Sequence, residues 1–157
     1  MTSTLDLEDV LNLIMDQLSR LLKAQAWSLL LRDAESGELT FEVAVSPAAG
    51  RLKGLQLARG QGIAGWVAEH GKPLLIPDVR LDPRFSDAGD RAAAFVTRSM
   101  VCAPIRSRDC VLGVIELVNG PQESSFTEAD LKLMMATIDR VLGEMIERCR
   151  QLNLRLA

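Results

Sequence analysis

Apolar residues recur every three or four positions near the start of the chain, the spacing of one helix face. The residues that share this spacing are Leu7, Val10, Leu11, Ile14, Leu18, Leu21 and Leu22. Acidic side chains at Asp6, Glu8 and Asp9 suit the first turn of a helix. The pattern predicts an amphipathic N-terminal helix over residues 5–24.

The next segment changes to a strand pattern. An apolar run at Ala26–Leu31 is too short for a helix, and Leu39–Val45 alternates apolar with polar positions. The polar residues 33–38 between them include Gly37, as expected for a turn. We therefore predict a hairpin, followed by a short strand near Leu55–Leu57.

Glycines and prolines divide the middle of the chain. Gly60-Gln61-Gly62 should open a helix over Ile63–His70, and Gly71 should end it. Residues 73–77 allow only a brief extended piece. Residues 78–98 predict a long loop with a short helix near Ala92–Ala94, and a loop of that length in a compact domain is usually functional.

A second hairpin is predicted from Met100–Ile105 and Val111–Val118, joined by the polar residues 106–109. If the turn centres on Ser107 and Arg108, Cys110 faces Ile105 and Cys102 faces Gly113. The two cysteines would then be ~10 Å apart, beyond the ~7 Å limit for a disulfide.

Glu116 interrupts an apolar row on the second of these strands. Period-two alternation places it on one face with Leu112, Val114 and Val118, where an ionisable group needs a partner, solvent or a ligand. Two interpretations stay open. Glu116 contacts a ligand, or it forms a structural ion pair with one of Arg84, Arg91 and Arg98.

The last third predicts a long helix over residues 128–156, which Thr127 and Asp130 begin as a capping box. Its apolar positions alternate steps of four and three, as in a coiled coil: Leu131, Met135, Ile138, Leu142, Met145, Cys149, Leu152 and Leu156. A helix of that length would extend beyond the domain that it covers. We therefore predict a parallel homodimer, joined by the N-terminal helix and by an interface at Leu142, Met145, Cys149, Leu152 and Leu156.

Composition narrows the function classes. The 157 residues predict one domain, 1–157, with an α/β core over residues 26–126, and no run approaches a membrane span. Three cysteines without a secretory signal suggest the cytoplasm.

One histidine and no tyrosine leave little material for catalysis, so no catalytic residue, metal or cofactor is predicted. The net charge of −3 argues against a nucleic-acid partner.

The charge is unevenly distributed. Residues 1–50 carry −5, residues 51–110 carry +4, and residues 111–157 carry −2. The basic middle is either a solvated face or a part of the fold that attracts an anionic ligand.

Six collinear segments together resemble a GAF domain of the type found in cyclic-nucleotide phosphodiesterases, bacterial adenylyl cyclases and sensor kinases. They are residues 60–68, Ile76-Pro77-Asp78, residues 82–85, residues 97–105, residues 113–119 and residues 126–130. The resemblance implies an α+β fold. It has a six-stranded antiparallel sheet, terminal helices on one face, and short helices and loops over a ligand pocket on the other.

The resemblance also implies ligand-binding positions. In nucleotide-binding members the backbone after the Gly-rich turn, here Ile63 and Ala64, contacts the ligand, as do a Thr matched by Thr97 and a strand carboxylate matched by Glu116. Phe85 and Ala93 belong to the same predicted pocket wall. Three positions depart from the pattern. Ala93 replaces a Thr, Ser86 replaces an aromatic residue, and Val45-Ser46 replaces an aromatic–acid pair.

A second family motif is partial here. Asn119, Phe126 and Asp130 match it, but Gly120 stands where a Lys is usual and Leu131 where a Glu is usual. The Lys–Asp tie of that motif cannot form.

Three hypotheses follow. The first is a bacterial signal-transduction sensor that binds a small, anionic ligand and relays occupancy through dimerised helices to an output domain. The second is a ligand-free dimerisation and relay module. The third is a free methionine sulfoxide reductase of GAF fold. Such an enzyme would need a cysteine pair, and the predicted Cys102–Cys110 separation argues against one.

His70 is expected to be a surface residue at a helix end, and residues 78–98 lack the Cys and His of bilin-binding relatives.

Overall fold

The computed structural model describes residues 4–5, 7–45, 52–93, 96–108, 110–120, 126–151 and 155–156. Its elements, in chain order, are β1 (Thr4–Leu5), α1 (Leu7–Leu21), β2 (Ala26–Arg32), β3 (Leu39–Val45), β4 (Gln56–Leu57), α2 (Gly62–His70), β5 (Leu74–Ile76), a 3-10 turn (Val79–Leu81), α3 (Ala88–Ala93), β6 (Met100–Ser107), β7 (Cys110–Val118), α4 (Glu128–Gln151) and β8 (Arg155–Leu156).

Six of the strands form one antiparallel sheet in the order β4-β3-β2-β7-β6-β5. The central strands β2 and β7 pair from Ala26–Val118 to Leu31–Gly113. At Gly113 a Cβ would collide with the carbonyl oxygen of Leu30, so only glycine fits there. The predicted α+β class and both hairpins are confirmed.

The terminal helices cover one face of the sheet. Ile14 and Leu18 of α1 and Met134 and Ile138 of α4 are fully or almost fully buried against that face. The capping box is present, because the Thr127 N–H donates to Asp130 and the Asp130 N–H donates to Thr127 Oγ1.

The other face carries α2, α3 and the long loop. Ile63 and Val67 of α2 pack with Leu30 and Val114 of the sheet in a second apolar cluster. Gly71 ends α2 in the left-handed conformation, and its N–H donates to the Val67 carbonyl oxygen, as predicted.

Both terminal helices are shorter than predicted. The structure has α1 over Leu7–Leu21 rather than 5–24, and α4 over Glu128–Gln151 rather than 128–156. Beyond α4, Arg155–Leu156 pairs in parallel with Thr4–Leu5. Strand pairing uses the backbone groups that a helix would bond internally, so the predicted heptad cannot extend to Leu156 as a helix.

The dimer prediction needs one correction. Leu142 is 2% exposed and packs inside its own domain, so its side chain is not available to a second subunit. Leu152 and the side chains of Met145, Cys149 and Leu156 lie outside the described part of the chain.

The register of the second hairpin also differs from prediction. Cys110 faces Ser107, two positions nearer the turn than the predicted Ile105. A bulge at Ile105/Arg106 shifts the pairing by one further position, so that Cys102 faces Glu116 rather than Gly113. The same bulge reverses the alternation of β7 side chains between the two faces of the sheet. Leu112 therefore packs against the terminal-helix cluster, and Val111 packs against the α2 cluster. Leu112 therefore does not share the face of Glu116.

Candidate functional site

A cavity of about 70 Å³ lies between the sheet and the layer formed by α2, α3 and the loop before α3. One water needs roughly 10–15 Å³, so the space suits a small organic molecule. Its described wall combines apolar side chains such as Phe41 and Met100 with a few polar groups, the usual make-up of a ligand site.

The Gly-rich turn positions one side of the cavity. Gly62 has φ +73°, a conformation that favours glycine, and a Cβ there would press on the Ser86 Cβ at 3.2 Å. Gln61 holds the turn, since its Oε1 accepts from the Ala58 N–H at 2.9 Å and its Nε2 donates to Ser86 Oγ at 3.3 Å. The first residues of α2, Ile63 and Ala64, thereby line the cavity.

Asp90 and Thr97 form a closely bonded pair in the opposite wall. The Thr97 hydroxyl donates to Asp90 Oδ1 at 2.6 Å, and the Thr97 N–H donates to Asp90 Oδ2 at 2.8 Å. The pair joins α3 to the segment that leads into β6. Both residues line the cavity.

Glu116 lies at the floor of the cavity, in the middle of β7. Ser28 of β2 and Cys102 of β6 are its cross-strand neighbours, and its side chain is only 8% exposed. Burial, with a smaller effect of the negative charge of Asp90, raises the pKa of Glu116 to about 7. Within the described part of the chain, no side chain forms a hydrogen bond or ion pair with this carboxyl.

The ion-pair interpretation of Glu116 is therefore wrong for the arginines considered. Arg84 is bound to Asp82 at 2.7 Å, and Arg91 to Asp87 at 3.2 Å. Arg98 is exposed, and its backbone N–H donates to Asn119. Glu116 is left as a buried polar group that faces the cavity.

The middle of the chain supplies much of the cavity wall, but none of its described basic side chains lines the cavity. Among the described residues that line it, the ionisable ones are Asp90 and Glu116, and none is basic. Several positive charges of this region instead pair with nearby carboxylates, as Arg59 does with Glu69 and Arg80 with Asp78. The expectation of an anionic ligand is not supported by the charge of the wall.

Five of the six predicted ligand-binding residues lie together in the cavity wall: Ile63, Ala64, Phe85, Thr97 and Glu116. The sixth, Ala93, is in α3, and its side chain lies outside the described part. Sequence reasoning missed Ser28 and Asp90. The signal for Asp90 was its position three residues before Ala93 in a segment already identified as functional, whereas nothing in the sequence distinguished Ser28 from other strand residues.

Trp66 carries a stack on the outer side of α2. The Arg84 guanidinium carbon lies 4.8 Å from the Trp66 ring centroid, and the His70 ring stacks on Trp66 at 4.1 Å. His70 is exposed at the last position of α2, as predicted. Arg84 is therefore fixed by Asp82 and Trp66, and it anchors the loop that carries Phe85.

Asn119 connects the cavity wall to the end of α1. Its Oδ1 accepts from the N–H groups of Arg98 and Ser99, and its Nδ2 donates to the Val96 carbonyl and to Gln25 Oε1. The segment that carries Thr97 is thus tied directly to Gln25, which follows α1.

Cys102 and Cys110 do not form a reactive pair. Cys102 is buried, and burial with the nearby Glu116 raises the pKa of its thiol, whereas Cys110 is exposed. Along β7, Cys110 is roughly 20 Å from the position opposite Cys102, twice the predicted separation. A disulfide between them is excluded in this fold.

Two features are absent from the described part of the chain. Among the described residues, no three His, Cys, Asp or Glu side chains are grouped as metal ligands. None of the described helices has the length and apolar composition that crossing a bilayer requires.

The family model for the GAF domain matches residues 6–142. The dual 3',5'-cyclic-AMP and -GMP phosphodiesterase 11A of Takifugu rubripes is 40% identical over 82 residues, which are 51% of this chain and 9% of that protein. The match therefore covers under a tenth of the phosphodiesterase.

Solved structures share the fold. The GAF-B domain of DevS from Mycobacterium smegmatis has a TM-score of 0.72 at 17% identity, covering 94% of this chain and 99% of that chain. The free methionine-R-sulfoxide reductase from Neisseria meningitidis has a TM-score of 0.64 at 18% identity, covering 92% of this chain and 88% of that chain. At these identities the likeness concerns the fold alone.

Proposed function

Since this chain belongs to the GAF domain family, we propose that it is a sensory and regulatory domain that binds a small molecule in the cavity between the sheet and α2. The observation that carries the proposal is Glu116. Its side chain is largely buried, its carboxyl has no partner among the described residues, and it lines the cavity, so a ligand there can form a hydrogen bond or ion pair with it.

The relay part of the proposal rests on Asn119. A ligand that touches Thr97 or Asp90 acts on the segment whose backbone is bonded to Asn119, and Asn119 is bonded to Gln25, in the connection between α1 and β2. Occupancy would thereby shift the preferred position of α1 and α4, which pack together. An output domain or partner protein would receive the signal from these helices.

We also propose that the functional unit is a homodimer joined through the terminal helices. Leu13 and Leu21 of α1 and Leu133 of α4 are 36%, 50% and 40% exposed, so these apolar side chains are available for contact with a second subunit. Light scattering at micromolar concentration tests this part, and a monomer would contradict it without affecting the ligand site.

Ligand binding is tested by thermal shift and native mass spectrometry against cyclic nucleotides, other nucleotides, amino acids, 2-oxo acids and amines. The Ala64→Met variant places a larger side chain in the cavity wall, and Ala129→Met places the same side chain on the exposed surface of α4. A true cavity ligand stabilises the wild type and Ala129→Met but not Ala64→Met. Hydrogen exchange in α1 should then change on binding.

If no compound stabilises the protein, the ligand-free relay module becomes the better interpretation. The Cys102–Cys110 pair does not support the reductase hypothesis, because the register of β6 and β7 keeps those cysteines apart. Turnover of free methionine sulfoxide by the purified protein would reverse that judgement.

A further inference from the structure

The cavity is acidic although the surrounding part of the chain is basic. Two carboxyl groups, Glu116 on β7 and Asp90 on α3, line it from two different elements. They are close enough for the charge of Asp90 to act on Glu116. No Lys, Arg or His is among the described residues of the wall.

Both carboxyl groups can still accept hydrogen bonds. Asp90 receives two donors from Thr97, and a carboxylate has about four acceptor sites. Glu116 is more than nine-tenths buried and receives none from the described residues. Ser28, directly opposite Glu116 across the strand pair, adds a hydroxyl to the same wall.

We propose that the cavity binds a small organic cation, with an ammonium or amidinium group held by Glu116 and Asp90 and with its carbon skeleton against the apolar wall. This proposal rests on the proposed function and specifies its ligand. A cation would supply the donors that Glu116 lacks and would offset the repulsion between the two carboxylates. An anion would meet two carboxyl groups and no described basic partner.

Binding of such a cation is coupled to a proton. Among the described residues, the polar and titratable groups that pair with Glu116 across the sheet or share its cavity wall carry no positive charge: Ser28, Ser86, Asp90, Thr97 and Cys102. The Glu116 carboxyl, with its pKa of about 7 in the free protein, is mostly protonated at pH 6 and mostly ionised at pH 8. A bound ammonium favours the carboxylate, so binding at pH 6 should release close to one proton.

The test uses three four-carbon probes that differ only in the end group: n-butylammonium, 1-butanol and butyrate. Calorimetric titration of the full chain should show binding of n-butylammonium and not of the other two. Affinity should be roughly tenfold higher at pH 8 than at pH 6, from the simple titration of one group. Titrations in two buffers of different ionisation enthalpy measure the proton release.

Two variants locate the effect. Glu116→Gln keeps the shape of the side chain, and it should lower the affinity for n-butylammonium at least tenfold at pH 8 and abolish the pH dependence. Asp90→Asn keeps an acceptor for Thr97, and it should also weaken binding. Glu38→Gln, at an exposed position in the turn before β3, is the matched control and should bind as the wild type does.

Equal binding of 1-butanol or butyrate, or n-butylammonium binding that Glu116→Gln leaves unchanged, overturns the cation proposal. So does the absence of binding by all three probes. The proposed sensory function fails only if the wider compound panel is silent as well, so the two failures are distinguishable.

Discussion

The side-chain amide of Asn119 donates to Gln25 Oε1 at 2.8 Å, across 94 positions of sequence. The same side chain bonds the backbone on both sides of Thr97, in the segment before β6, and it is only 1% exposed. Asn119 also has φ +55°, a left-handed conformation that asparagine tolerates better than most residues. One residue therefore combines a backbone requirement with four side-chain bonds at the junction of the cavity wall and α1.

Replacement of Asn119 by Ala should be strongly destabilising. It removes the acceptor for the Arg98 and Ser99 N–H groups and the donor to the Val96 carbonyl, at a place where the Ser99 bond is buried and the other two are partly buried. We expect a loss of roughly 2–4 kcal/mol in the free energy of unfolding, measured by urea denaturation.

Two controls separate the causes. Gln25→Ala removes only the bond to Gln25 and should cost at most about 1 kcal/mol. Asn119→Gly removes the side-chain bonds but favours positive φ, so it should be less destabilising than Asn119→Ala. An Asn119→Ala variant within 0.5 kcal/mol of the wild type, roughly the range of an ordinary surface substitution, would show that the network is not structurally important.

Local patterns predicted most of the fold because each was set by neighbouring residues. The apolar spacing of α1, the alternation in β3 and the capping box at Thr127 depend on contacts within a few positions, and all three are present. The α2 stop at Gly71 follows the same logic.

The errors arose where distant parts of the chain meet. The bulge at Ile105/Arg106 depends on how β6 pairs with β7, and the turn sequence alone did not reveal it. Leu142 continues a regular heptad, yet its side chain is buried in the apolar cluster of its own domain and is not available to a second subunit. The middle of the chain is basic in sequence, but part of that positive charge is neutralised outside the cavity by ion pairs such as Arg84–Asp82.

Gly65 should resist enlargement because α2 passes close to the Gly60 backbone. A Cβ on Gly65 would lie 2.9 Å from the Gly60 Cα and closer still to its carbonyl carbon, and backbone atoms cannot move aside as a flexible side chain can. Gly65→Ala should therefore destabilise the protein by roughly 1–3 kcal/mol and disturb the turn at the cavity.

The matched substitution is Gly143→Ala in α4. Nothing lies within 4 Å of a Cβ at that exposed helical position, so alanine should stabilise the protein by up to about 1 kcal/mol through helix propensity. Thermal unfolding of the two variants tests the pair. A similar change in melting temperature for both would contradict the close approach at Gly60.

The capping box gives a smaller prediction. Thr127→Ala removes the hydroxyl that accepts from the Asp130 N–H at 3.2 Å, and it should cost about 1 kcal/mol in unfolding free energy. Thr127→Ser retains the hydroxyl and should differ little from the wild type. Equal losses in both variants would assign the effect to the Thr127 methyl group instead.

The stability of the free protein should fall as pH rises from about 4.5 to about 7. The folded-state pKa of Glu116 is raised to about 7, above the 4.5 of an unperturbed glutamate, so the folded state binds more protons than the unfolded state in this window. The stabilisation is complete below pH 4.5 and is lost as the pH passes 7, a change of roughly 3 kcal/mol for one group. The pKa values of three aspartates are lowered: Asp33, Asp78 and Asp82. The stability that their ionised forms contribute is lost only at pH values below this window, so it does not change between pH 4.5 and pH 7.

Urea denaturation at pH 5 and pH 8 measures this effect. Glu116→Gln should make the two values nearly equal and should be more stable than the wild type at pH 8, because it removes a buried charge without changing the side-chain shape. Glu38→Gln should retain the full pH dependence of the wild type. A wild type equally stable at both pH values would mean that Glu116 has a partner when ionised, and the cavity would then lose the unsatisfied group on which its proposed ligand depends.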